Sequence, residues 1–246
     1  MDPLSTVLLA GALLLLGLLV GVVLVAHLRR RGDGRLLIGA CKLLVAVPIR
    51  LWWRVTYVGF EAIPDRPPEG GLIVVANHTS GLDPVIVEYR CNYDIRWMMW
   101  AEMMVPGVRW FTRWKRVIPI SFGAGDRAAL KRSVEIVRDG GVLGVFPEGG
   151  IERPAGRIRP FMHGVGLLVA KTGAPVVLLH ISGIPERADA FSSILRPCRA
   201  RVEVVEVMAF TGRRDVAGIS EDLRTRLQAA CGWPLEDEPL NPESGG

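Results

Sequence analysis

The sequence predicts an α/β fold: a layered, mostly β-sheet core flanked by helices, joined to an N-terminal transmembrane helix. Three observations predict it. An uncharged apolar run extends from Val7 to Ala26. Short runs rich in β-branched residues recur at Leu72–Ala76, Val142–Phe146, Val176–Ile181 and Val202–Val207. Helical patterns separate these runs, and strands alternating with helices form a layered sheet. The chain has 246 residues. Beyond the apolar run, that length suits one domain of ordinary size and hardly two.

The run from Val7 to Ala26 is Leu, Val, Ala and Gly only. Its length matches the roughly 20 helical residues that cross a bilayer. A cleaved signal peptide has a shorter core with positive charges before it. Here Asp2 precedes the run and Arg29, Arg30 and Arg31 follow it. That polarity favours an anchor, residues 1–31 with the basic flank, and places the following domain on the cytoplasmic side as a single-pass membrane protein.

A second apolar stretch, Leu36–Trp53, is interrupted by Lys42, Pro48 and Arg50. Leu37, Cys41, Leu44 and Val45 recur at helical spacing and Trp52, Trp53 and Tyr57 follow. We read residues 32–57 as an amphipathic segment in the headgroup region. A core helix and a membrane-inserted hairpin remain open alternatives.

Residues 58–233 then form the globular domain. Leu72–Ala76 suits a strand buried on both faces. Asp83-Pro84 reads as an N-cap and first residue of a helix reaching toward Tyr89. Asp126 caps a helix to Arg138, with Leu130, Val134 and Val137 inward and Gly140-Gly141 ending it. Gly164–Thr172 and Ile219–Ala230 read as further helices, Leu223 and Leu227 facing in. Residues 234–246, acidic and rich in Pro and Gly, read as a disordered tail.

Composition narrows the function. A net charge of +5 fits an anionic lipid surface or substrate, and no nucleic-acid module accompanies it. Cys41, Cys91, Cys198 and Cys231 lie far apart, without the spacing of a zinc or redox motif. We expect free thiols, Cys41 being buried. No H-E-x-x-H or similar spacing occurs, so no metal and no cofactor is expected.

Asn77-His78-Thr79-Ser80-Gly81-Leu82-Asp83 is the most informative segment. On one helix His78 and Asp83 would stand about 140° apart. Across a strand-to-helix turn they can meet. Asp83 then orients the imidazole, whose other nitrogen takes a proton from a hydroxyl or amine. Base and orienter are present, but no G-x-S-x-G elbow surrounds Thr79 or Ser80, which favours direct attack by a bound acceptor. A structural histidine beside a helix cap is the competing reading.

Asn-His-x-x-x-x-Asp after one strand, with Phe146-Pro147-Glu148-Gly149 after another, resembles the glycerolipid acyltransferase family over roughly Trp53 to Val207. Its best-known members acylate glycerol 3-phosphate and 1-acylglycerol 3-phosphate. The resemblance implies the glycerol-3-phosphate acyltransferase-like fold, His78 as base and Asp83 as its partner. It implies Glu148 on the acceptor side, where Gly149 admits close backbone approach. We add Asn77 as a substrate contact. The implied reaction moves a fatty acyl group from acyl-CoA or acyl-carrier protein to a hydroxyl of a lysophospholipid or related lipid at a membrane. Phospholipid biosynthesis is its setting. A lipid-binding scaffold and a thioesterase or lipid hydrolase are the rival readings; Glu148 could also simply bind turn amides.

Several positions depart from the family pattern. Gly150 and Ile151 replace its Thr-Arg, so Arg153, Arg157 and Arg159 become candidates for a phosphate fork. The middle block Arg116–Ile120 runs into Ser121-Phe122 without the usual Arg. Phe161–Gly164 lacks a lysine, and Val176–His180 lacks an internal proline. These changes speak against a plain glycerophosphate acceptor and leave acyl transfer untouched. Trp97, Met98, Met99, Trp100, Met103 and Met104 suit an acyl groove, a membrane contact or core packing. His180 reads as a satisfied core histidine, and His163 as a neighbour of the site.

Overall fold

The computed structural model describes residues 3–104, 106–121, 126–151, 153–186 and 192–239. Asp2, Phe122 and residues 240–246 of the expected tail lie outside them. Among the described residues seven strands form one sheet: β1 (Thr56–Val58), β2 (Leu72–Ala76), β3 (Ile95–Trp100), β4 (Ile118–Ile120), β5 (Val142–Val145), β6 (Val176–Ser182) and β7 (Arg201–Met208). Their order is β1-β7-β6-β2-β5-β3-β4. All neighbours run parallel except β6 and β7. β2 sits centrally, so all five of its residues are buried, as its unbroken apolar run requires.

The helices are α1 (Pro3–Arg31), α2 (Leu36–Leu51), α3 (Asp83–Arg90), α4 (Pro106–Trp114), α5 (Arg127–Arg138), α6 (His163–Thr172) and α7 (Val216–Cys231). One sheet face carries Leu72, Val74, Val142, Trp97, Val177 and Leu179. It packs against Ile49 of α2 and Ile86 and Val87 of α3. The other carries Ile73, Val75, Leu143, Val176 and Leu178 against α5, α6 and α7. The result is three layers, and the expected α/β sheet flanked by helices is what the chain builds. α5 starts as its sequence dictates, Asp126 accepting a hydrogen bond from the Ala129 amide.

Several elements were not foreseen. β3 runs through Trp97-Met98-Met99-Trp100, where both faces are apolar and no alternation marks a strand. There Trp97 is buried and Met98 packs against the core. β1 and α4 were also missed, β1 being three residues long.

Among the described residues one helical stretch, Ala10–Arg31, is long and apolar enough to cross a membrane. Its described leucines and valines stand outside the core, Leu14 being 76% exposed. α2 divides in two. Ile38, Lys42 and Ile49 are buried, while Leu37, Leu43, Leu44, Val47 and Leu51 face outward. Cys41, expected to be buried, belongs to the exposed side; all four cysteines are free thiols.

Lys42 reaches inward because its ammonium finds the carbonyls of Cys91 (3.0 Å) and Tyr93 (3.1 Å). Nearby Lys115 pairs with Glu88 at 2.5 Å and with Asp94, which also holds Arg35 at 2.9 Å. Burial pushes Lys42 below its ordinary value and Glu88 above its own, with Lys115 opposing the latter shift. This buried charge network ties α2 and the end of α4 to α3, which begins with Asp83.

The expected disordered tail needs correction over residues 234–239. The Ile158 amide donates to the Pro234 carbonyl (3.0 Å), and the Glu236 amide donates to the Ile158 carbonyl (2.9 Å). Acidic, proline-rich composition concealed these partners because they lie about eighty positions earlier in the chain.

Candidate active site

β2 ends at Ala76, and the next residues turn over the C-terminal edge of the sheet. The buried Asn77 amide both donates to the Ile181 carbonyl (2.8 Å) and accepts from its amide (2.7 Å). This clamps the end of β2 to β6. Asn77, expected as a substrate contact, has both amide atoms engaged by backbone and is 1% exposed.

Past this clamp, His78 Nδ1 lies 2.8 Å from Asp83 Oδ2. Asp83 is fully buried, whereas the His78 side chain is 17% exposed. Oδ2 also accepts from the amides of Thr79 (2.7 Å) and Ser80 (2.8 Å), and Oδ1 from the Thr79 hydroxyl (3.0 Å). Four hydrogen bonds satisfy the buried carboxylate and fix its direction. Asp83 is the first helical residue and Leu82 the cap, one position from the expected boundary. Its carboxylate binds the preceding loop instead of the following turn. The Ser80 hydroxyl holds the Leu82 amide (3.0 Å) and meets the Ser193 hydroxyl at 2.5 Å.

The imidazole also stacks on Phe146, with centroids 3.9 Å apart and planes at 9°. Phe146 in turn stacks on Trp97 at 4.8 Å. Gly144 makes this possible, since a Cβ there would lie 2.4 Å from the Trp97 ring. Sequence reasoning did not find this stack. Its signal was a glycine inside the strand Val142–Val145, which marks close approach by a neighbour.

Glu148 is 2% exposed. One carboxylate oxygen accepts from the His78 amide and the other from the Arg159 amide, each at 3.2 Å. Glu148 therefore binds backbone, joining the β2 turn to the arginine loop. Gly149 follows at φ +86°, a conformation that disfavours a side chain, and its amide donates to Phe146 (3.2 Å). With the amides of His78, Thr79, Ser80 and Gly149 all engaged, none of these four is available as an oxyanion donor in this state.

Of the three arginines expected to form a phosphate fork, two are engaged by residues near the C-terminal end of the described chain. Arg157 pairs with Glu236 at 2.6 Å. Arg159 donates to the Glu238 carbonyl at 3.0 Å. Arg153 is half-buried in the same loop. His163 opens α6 and is exposed. His180 is buried edge-on to Trp233, but among the described residues its Nε2 has no hydrogen-bond partner, and burial lowers its pKa. Among the described residues no group of three His, Cys, Asp or Glu side chains could hold a metal.

A model of the family described as Acyltransferase matches residues 54–182, just over half of the chain. The chain belongs to the acyltransferase family. Both halves of the His78–Asp83 pair and Glu148 fall inside the matched region. The chloroplastic 1-acyl-sn-glycerol-3-phosphate acyltransferase BAT2 of Brassica napus is 29% identical over 147 residues, 58% of this chain and 41% of that protein. An N-acylphosphatidylethanolamine synthase of Arabidopsis thaliana is 28% identical over 130 residues, 48% of this chain and 46% of that protein. The chain spans less than half the length of these curated relatives. The crystal structure of the 1-acyl-sn-glycerophosphate (LPA) acyltransferase PlsC from Thermotoga maritima superposes with a TM-score of 0.55 at 24% identity. It covers 72% of this chain and 71% of its own. That likeness establishes a shared fold for this acyltransferase-family chain.

Proposed function

We propose that the protein is a membrane-bound O-acyltransferase. It moves a fatty acyl group from acyl-CoA or acyl-carrier protein to a hydroxyl of a lysophospholipid or related lipid. The observation that carries this reading is the 2.8 Å contact between a partly exposed His78 and a fully buried, hydrogen-bonded Asp83. Asp83 fixes the tautomer with the proton on Nδ1, leaving Nε2 to accept the acceptor's hydroxyl proton. The acceptor oxygen attacks the thioester carbonyl as that proton moves to Nε2. Collapse of the tetrahedral intermediate expels the thiolate, which takes the proton back from the imidazolium. The stack on Phe146 and Trp97 limits tilting of the ring, and Glu148 holds the His78 backbone. Arg153, Arg157 and Arg159 are the candidate substrate-binding side chains.

The exposed apolar surface of α1 and the outer side of α2 support a membrane location. A bilayer would cover both, and Arg29, Arg30 and Arg31 favour a cytoplasmic domain. Residues 1–31 serve as anchor, 32–57 as interfacial segment and 58–233 as the acyltransferase domain. The test is incubation of the full chain in bilayer discs with labelled acyl-CoA or acyl-carrier protein and a panel of lysolipids. Time-dependent acylated lipid is expected. Free fatty acid formed equally fast without acceptor would identify a thioesterase, and no turnover of any donor would leave a scaffold.

A further inference from the structure

The arginine loop and residues 234–239 are built as one unit. Ile158 and Leu235 form a parallel bridge. The buried Arg224 of α7 secures it, donating to the Glu236 carbonyl (2.6 Å) and the Ile158 carbonyl (3.4 Å). This backbone attachment brings the Glu236 carboxylate to the Arg157 guanidinium at 2.6 Å. Residues 234–239 form a strap, half of it acidic through Glu236, Asp237 and Glu238. On its inner side the loop reaches the site directly, because the Arg159 amide shares the Glu148 carboxylate with the His78 amide.

We propose that Glu236 is a specificity-determining residue that disfavours acceptors bearing a phosphate monoester, by occupying Arg157 with a carboxylate of the protein's own. This inference rests on the acyltransferase reading. A phosphate monoester carries close to two negative charges at neutral pH and binds best to unengaged arginine forks. Here it meets a guanidinium already paired. Displacing the carboxylate does not remove it, since Arg224 and the Ile158 bridge keep the strap backbone in place. The displaced charge then repels the incoming anion. Acceptors whose phosphate is a diester carry one charge fewer and suffer less. The departures at Gly150 and Ile151 agree with this, since the position following Gly150 supplies no arginine.

Glu236→Gln removes the charge and keeps the shape, while Glu236→Asp keeps the charge. Inorganic phosphate binding to the full detergent-solubilised chain is measured by calorimetry. Alongside it, the rate ratio for lysophosphatidate over lysophosphatidylcholine is measured in bilayer discs. The Gln variant is expected to bind phosphate about three- to tenfold tighter than wild type and to raise the ratio similarly, with the Asp variant close to wild type. Equal phosphate affinity in all three proteins, or no measurable binding in any, overturns the proposal. So does an unchanged ratio when transfer is observed. A phosphate shift without acyl transfer by any of the three proteins would refute the acyltransferase reading and leave the role of Glu236 as an anion competitor standing.

Discussion

The turn carrying His78 and Asp83 and the loop carrying Arg153, Arg157 and Arg159 lie on either side of Glu148, yet they are built oppositely. In the first, every partner of the Asp83 carboxylate comes from the five preceding residues, and the carboxylate is wholly buried. In the second, Arg157 and Arg159 are engaged by residues 79 positions away, and the Arg157–Glu236 pair is solvent-accessible. If the proposed function holds, the difference separates the chemistry from the choice of acceptor. On the proposed reading, proton handling belongs to a short, self-contained turn, and headgroup recognition to an exposed surface whose charges residues 234–239 can retune.

This contrast can be broken by substitution. Asp83→Ala should have the largest effect, because it leaves buried donors on Thr79 and Ser80 without an acceptor and frees the imidazole. Acyl transfer should fall about 10²–10⁴-fold, and thermal or denaturant unfolding should show a loss of about 2–5 kcal/mol. Gly144→Ala comes next. The added methyl group meets the Trp97 ring at 2.4 Å, so the stack beneath His78 must shift. A stability loss of about 1–3 kcal/mol is expected, with a measurable fall in turnover and an unchanged acceptor ratio. Arg157→Ala should do least. Its ion pair is largely exposed, and unfolding should move by no more than about 0.5–1 kcal/mol. A loss there as large as that for Asp83→Ala would erase the proposed division between the two regions.

The same difference explains what the sequence disclosed. His78 and Asp83 could be paired from spacing because their contact is local and crosses one strand-to-helix turn. β2, β5, α5 and α7 were legible because the apolar pattern that marks each lies within its own segment, although the start of α7 at Val216 behind its Asp215 cap was not read. β3 was not, since its Trp97-Met98-Met99-Trp100 run is apolar on both faces and presents no alternation. The backbone contacts of Asn77 were not legible for another reason, and those of Glu148 only as an open alternative. Both side chains bind backbone groups, which sequence cannot display: Asn77 holds Ile181, and Glu148 holds His78 and Arg159. The strap was hidden by composition, which marks residues 234–239 as disordered and says nothing of Arg157, Ile158 and Arg224, which hold them.

The most direct test of the central claim is single-turnover acyl transfer by His78→Ala in the full chain, measured in bilayer discs beside its unfolding curve. Asp83 keeps its bonds to Thr79 and Ser80 in that variant, so cooperative unfolding close to wild type is expected. Transfer should fall about 10²–10⁴-fold. A folded variant that transfers acyl groups within a few-fold of wild type would contradict the assignment of His78 as the base.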